Sequence, residues 1–222
     1  MSKILVIAPH PDDETLGCGG TLLKHRNNNE PIYWVTMTSA LDEQKWGKDF
    51  IKKRESELEL VKNEYCFKKS FHLKFPASEM DKVPISDIVN NISQIIDEVK
   101  PQVVYIPFHS DIHTDHQIIS RSLGSIIKWF RHISIKRVLM YETVSETDFN
   151  FISSISFKPN YFVNISDFIK RKIEIMNLYS SEISLAPFPR SNEVLIAQSV
   201  LRGSQCGFNN AEAFEMVYEK VQ

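Results

Sequence analysis

Three cysteines, Cys18, Cys66 and Cys206, are too few and too scattered for a scaffold: the count is odd and no Cys-x-x-Cys pair occurs. A disulfide framework and a cysteine zinc knuckle are excluded on that pattern, and a reducing, cytoplasmic setting fits. Each cysteine is expected to be a small buried hydrophobe. Long apolar runs are missing too. Ile4 to Ala8 is too short for a secretion signal or a stable membrane span, and no later stretch reaches span length. Neither charge dominates: 26 Lys and Arg stand against 28 Asp and Glu, a formal net charge of -2. Nucleic acid is not an expected partner, because a duplex binder carries a clear basic excess. Also absent are G-x-G-x-x-G, a P-loop, a G-x-S-x-G elbow and an H-E-x-x-H helix. The glycines of LGCGG suit a tight turn or close helix–sheet contact instead. With 222 residues and no repeat, linker or low-complexity tract, residues 1–222 read as one domain.

What the chain does have is alternation of two patterns. KILVIAP (3–9), PIYWVTMT (31–38), QVVYIPF (102–108) and RVLMYETV (137–144) are apolar without alternation, as strands covered on both faces are. Between them lie helical patterns. TLLKHRNNN follows the first strand. Residues 49–65 place Ile51, Leu58, Val61 and Tyr65 near one face, and 85–100 repeat Ile88, Ile92, Ile95 and Val99 before Pro101 stops the helix. Residues 167–183 form a further helix with Asp167 in its cap region and Ile169, Ile173, Met176 and Tyr179 as a stripe. Leu195 to Leu201 is helical, and AEAFEMVYEKV is read as a short helix or a helix–strand ending. This alternation predicts an α/β, three-layer sandwich with a mostly parallel, Rossmann-like sheet. In such a sheet ligands bind beyond the carboxyl ends of the strands.

Two polar clusters fall at that kind of position. IAPHPDDETLGCGG (7–20) follows the first strand, and HSDIHTDH (109–116) follows the third apolar strand. Consecutive acids repel unless solvent, a cation or separate hydrogen bonds satisfy them. His10 with Asp12 or Asp13, and His113 with His116, supply the imidazole and carboxylate donors of a catalytic zinc site; iron accepts the same set. A spare carboxylate can then serve as general base. His113 and His116, three apart at a helix start, share a face, and Asp115 between them can orient an imidazole. His109 and Asp111 are spare polar groups. Taken alone, HPDDE can also be read as a helix cap with first-turn acids. His25, His72 and His132 have no chelating company and are assigned to surface or packing roles.

APHPDDETLGCGGTL resembles the first signature of the PIG-L/LmbE-like zinc-dependent N-acetylglucosaminyl deacetylases. DIHTDH resembles their second, KKRESELE their Arg-Glu helix, and YETV, YSSE and LRGSQCGFNNAEAF their later blocks. The resemblance implies His10, Asp13 and His116 as metal ligands and Asp12 as general base. It makes His113 the group that polarises the amide carbonyl or protonates the amine, with Asp115 supporting His113. It makes Arg54 a substrate contact, against a plain Arg54–Glu57 helix pair. Arg190 and Arg202 are further candidates for an anionic substrate group, Arg202 also for packing beside Gly203. Tyr141 and Glu142 are read as pocket residues, against a core tyrosine and a solvated acid. Glu182 stands where many relatives carry Gln. The implied reaction is hydrolysis of the acetamide of an N-acetylated sugar conjugate. The competing readings are a deacylase of another amide and a non-catalytic sugar- or metal-binding module. A homo-oligomer stays open.

Overall fold

The computed structural model describes residues 1–40, 42–151 and 155–221. The chain runs β1 (Ile4–Ala8), α1 (Asp13–Asn27), β2 (Ile32–Ser39), α2 (Glu43–Trp46), α3 (Lys48–Tyr65), β3 (Lys69–Pro76), a single 3₁₀ turn (Met80–Lys82), α4 (Ile85–Val99), β4 (Val103–Pro107), α5 (Thr114–Ile126), β5 (Arg137–Tyr141), β6 (Tyr161–Asn164), α6 (Ile169–Met176), α7 (Asn192–Ser204) and β7 (Ala211–Glu219). The seven strands lie in the order β3-β2-β1-β4-β5-β7-β6. The first five are mutually parallel, and β7 runs antiparallel to both of its neighbours. This is the expected α/β sandwich.

Alternate residues of the central strands feed two cores. Ile4, Val6, Ala8 and Trp34 pack under α1, α3 and α6 with Val61, Tyr65, Ile175 and Met176. Leu5, Ile7, Val35 and Val104 pack under α4 and α5 with Ile88, Ile92, Ile96 and Leu123. That division explains why β1 is apolar at every position. Each face of the strand is covered, so all five side chains lie at 0% exposure.

Several local expectations are corrected. Residues 211–219 form a strand rather than a helical ending, and β3 and β6 are strands that the apolar-run criterion passed over. α1 begins at Asp13, so the glycines lie inside a helix and not in a turn, and of the two readings the close helix–sheet contact holds: Gly17 packs against Tyr141 of β5. α6 stops at Met176, and its cap position is Phe168, with no side-chain capping bond. Cys18 is buried as expected. Cys66, which closes α3 in a left-handed conformation (φ 53°), is exposed, and Cys206 is half-buried. Among the described residues no helix is long and apolar enough to cross a membrane.

Candidate active site

The strand order turns outward on both sides from β1 and β4, so the crevice beyond their carboxyl ends is the switch point of the sheet. Both polar clusters start there. After β1 the chain is fastened to β2, since Pro9 O accepts from the backbone N–H (3.0 Å) and the hydroxyl (2.9 Å) of Thr38. It then turns through Asp12 at φ 123°, a conformation that costs a non-glycine residue strain and marks over-determined sites. Asp12 occupies the N-cap position of α1 without capping it. Glu14 takes the Asp12 N–H instead (3.2 Å) and is itself held by Thr15 and Tyr179. The helix-cap reading of these acids therefore does not account for the Asp12 carboxylate.

His10, Asp13 and His116 converge. His10 Nδ1 lies 3.4 Å from Asp13 Oδ2, His116 Nε2 lies 3.2 Å from the same oxygen, and the two nitrogens are 3.3 Å apart. The far side of each ring fixes its tautomer. His116 Nδ1 meets Asp111 Oδ2 at 2.8 Å, and His10 Nε2 meets Asp115 Oδ2 at 3.1 Å. A proton on each of those outer nitrogens leaves three lone pairs facing one another, an arrangement that calls for a cation. The size suits one: tetrahedral bonds of about 2.0–2.1 Å separate ligand atoms by about 3.3–3.4 Å. The surroundings favour positive charge here, which a second proton on His116 supplies when no ion is bound. Burial opposes charge on His116, yet Asp13 and Asp111 push its pKa up to about 10. Burial likewise opposes ionisation of Asp13, but His116 and His10 hold its carboxyl well below the usual range. A second group, His10 with His113 and Asp115, also clusters. The Asp115 carboxylate is already engaged by His10 and by the N–H groups of Ser78 (2.7 Å) and Met80 (3.2 Å).

Asp12 is 2% exposed. Burial, with Asp13 adding to it and Arg190 and Arg54 opposing, raises its pKa to about 7. Arg190 donates to Asp12 Oδ2 (2.9 Å), Glu182 (3.0 Å), Glu146 (3.1 Å) and the Ser145 hydroxyl (2.9 Å), so its donors serve the protein. Arg54 donates to Pro11 O (2.8 Å), Glu57 and Ser181, and pairs with Glu182. His113 caps α5, its Nδ1 accepting the Asp115 N–H (3.1 Å). Burial first, then His10 and His116, lower its pKa to about 4. A neutral ring whose Nδ1 accepts carries its proton on Nε2.

Asp12, Arg54, His113 and Arg190 line one cavity of about 450 Å³, with His10, Glu182 and His72 also in its wall. Three expectations are corrected. Tyr141 is a core residue whose hydroxyl donates to Ile7 O (2.8 Å). Glu142 and Arg202 form a two-bond pair with each other (2.5 and 2.7 Å) and do not line this cavity. The Asp115 carboxylate bonds His10, and only its backbone N–H meets His113. Three participants were not foreseen. Asp111, set aside as spare, orients His116; Glu182 bridges both arginines; His72, assigned to packing, bonds Thr36 (2.6 Å) and faces the cavity. For Asp111 the available signal was its place five residues before His116, in the loop that leads into α5.

Fold and cluster together define the class: an α/β enzyme built for metal-assisted hydrolysis. The chain belongs to the PIG-L family, whose sequence model, described as GlcNAc-PI de-N-acetylase, matches residues 5–127. It is 24% identical over 229 residues to the diacetylchitobiose deacetylase of Thermococcus kodakarensis, spanning 98% of this chain and 84% of that protein. It is 27% identical over 129 residues to a probable N-acetyl-alpha-D-glucosaminyl L-malate deacetylase 2 of Bacillus cereus, spanning 54% of this chain and 58% of that protein. The N,N'-diacetylchitobiose deacetylase structure from Pyrococcus horikoshii shares the fold, with a TM-score of 0.76 at 22% identity over 98% of this chain and 84% of that one.

Proposed function

We propose that this protein hydrolyses the acetamide of an N-acetylglucosamine-type sugar conjugate, releasing acetate and a free amine, with zinc held by His10, Asp13 and His116. The observation that carries the reading is the triangle of three lone pairs beside a buried carboxylate that opens on the cavity. The names borne by the family's relatives favour the same chemistry. Iron fits the mixed donors as well, and zinc is preferred because the triangle has tetrahedral edges. An ion there supplies Lewis acidity, acidifying a water and polarising a carbonyl oxygen.

The remaining steps belong to the chain. Asp12 accepts the proton of the attacking water, and a carboxyl with a pKa of about 7 can return it to the leaving nitrogen. His113, neutral at working pH, donates its Nε2–H to the carbonyl oxygen as negative charge collects there. A ring with a pKa of about 4 is unprotonated near neutral pH and holds no second proton to give the amine, which favours Asp12 in that role. Arg190 fixes the Asp12 carboxylate, and Arg54 fixes the Pro11 carbonyl before it, leaving sugar hydroxyls to the cavity face of Arg54. The unpaired cysteines fit a cytoplasmic enzyme. The test is acetate release from an N-acetylglucosaminide by zinc-loaded and chelator-treated protein. Release that depends on the ion is expected; no release from any N-acetylated glycoside would overturn the reading.

A further inference from the structure

The apolar stripe of α3 outruns the core. Val61 and Tyr65 are fully buried in the core that β1, β2 and α1 share, but Ile51 and Leu58 of the same stripe are half-buried and line the active-site cavity. Ile51, Arg54, Glu55 and Leu58 stand at steps of three and four, on one face of the helix. Arg54 therefore joins the polar end of the cavity to an apolar wall. Trp46 and Phe50 extend that wall. Gly47, at φ 80°, turns α2 into α3, and across this corner the two rings stack with centroids 5.5 Å apart and planes 16° off parallel. Both rings are half-buried and both line the cavity.

We propose that this wall is an aglycone subsite, and that the conjugate's second part is an aryl or alkyl group rather than a second sugar. The proposal rests on the deacetylase reading of the polar end, because one continuous cavity serves both. A pocket that selects a second pyranose needs fixed, converging polar groups. Of the polar side chains in the cavity wall, Glu55, Glu59, Lys74 and Ser78 are exposed, while Thr38 and His72 are already held by Pro9 O and Thr36. Phe50, Ile51 and Leu58 offer only apolar surface and Trp46 adds a large apolar ring with one N–H, a wall that gains from covering an apolar ligand. A cavity of about 450 Å³ falls within the range for drug-sized ligands, about 300–1,000 Å³, and so has room for a ring beyond the sugar.

The test compares methyl, phenyl and disaccharide glycosides of N-acetylglucosamine by kcat/KM on zinc-loaded protein. Independently of turnover, it compares calorimetric Kd values for the corresponding free-amine glycosides. The phenyl glycoside should exceed the methyl by tenfold or more in both readouts. Phe50→Asn and Ile51→Asn, two variants at half-exposed positions, should each narrow that ratio to within about twofold. Equal phenyl and methyl values in wild type overturn the subsite. A preference for the disaccharide over the phenyl glycoside that is lost in Phe50→Asn overturns its apolar character. If no glycoside is turned over while the phenyl-to-methyl binding ratio and its loss in the variants persist, the subsite stands and the deacetylase reading falls.

Discussion

Asp12 and its neighbour Asp13 are chemically identical and adjacent, yet their environments drive them apart. Asp13 faces two imidazoles and stays ionised, while Asp12, buried beside it, is raised to about 7. Three substitutions separate the proposed roles. Asp12→Asn keeps shape and ligands, so metal content by elemental analysis should match wild type while kcat falls roughly 10²- to 10⁴-fold. His116→Ala should lose most of the bound metal; an undiminished metal content would remove it from the ligand set. His113→Ala should retain metal and lose about 10²- to 10³-fold in kcat, the usual cost of one oxyanion donor. Metal loss in that variant would instead make it a ligand. At this scale the donor types are legible in the two motifs alone. The orienting partners are not, because spacing along the chain does not say which carboxylate faces which nitrogen. Asp111 and Asp115 flank His113 at similar distance along the chain, and only the turn into α5 sends one to His116 and the other to His10.

The elements most readable from sequence were those covered on both sides, β1, β2 and β4, and the strongly periodic α4. β3 escaped because it is an edge strand whose lysines and half-exposed positions break the apolar run. β7 escaped because its antiparallel position places Glu212, Glu215 and Glu219 between apolar residues, a pattern that a short window reads as helical. α1 was misread at its start because glycine is a poor helix former. Packing overrides that propensity: a Cβ on Gly17 would lie 2.2 Å from Tyr141 Cδ2, and the ring is pinned by its bond to Ile7 O. Gly17→Ala should therefore destabilise the protein by about 1–3 kcal/mol despite the better helix former. Gly124 in α5 has open space around a Cβ and normal helical φ. Gly124→Ala should be neutral or stabilising by up to about 1 kcal/mol. Urea midpoints of the two variants check the contrast, and equal shifts would show that the Gly17–Tyr141 contact can relax.

Across the whole molecule the late segments clasp the first motif. Lys172 of α6 and Glu212 of β7 form an ion pair at 2.7 Å, each about 4% exposed. The pair also grips the backbone of α1: Lys172 Nζ donates to Leu16 O (2.8 Å), and Glu212 accepts from the N–H groups of Gly20 (2.8 Å) and Thr21 (2.7 Å). One buried pair thus unites three elements, and the helix it grips begins with Asp13. Chain order hid this arrangement, since nothing in a local window couples residue 172 to residue 212 or either to Leu16. A buried pair adds little net stability over an apolar substitute, but removing one partner strands the other charge. Lys172→Met should cost about 3–5 kcal/mol, lowering Tm by roughly 6–20 °C for a chain of this size. Lys172→Met with Glu212→Gln should recover part of that loss, because the amide oxygen still accepts an N–H of α1 and no charge is left unpaired. Calorimetric Tm values for the single and double variants decide the point. If the double variant is no more stable than Lys172→Met, the stranded carboxylate is not the source of the loss, and the clasp acts through its hydrogen bonds to α1 alone.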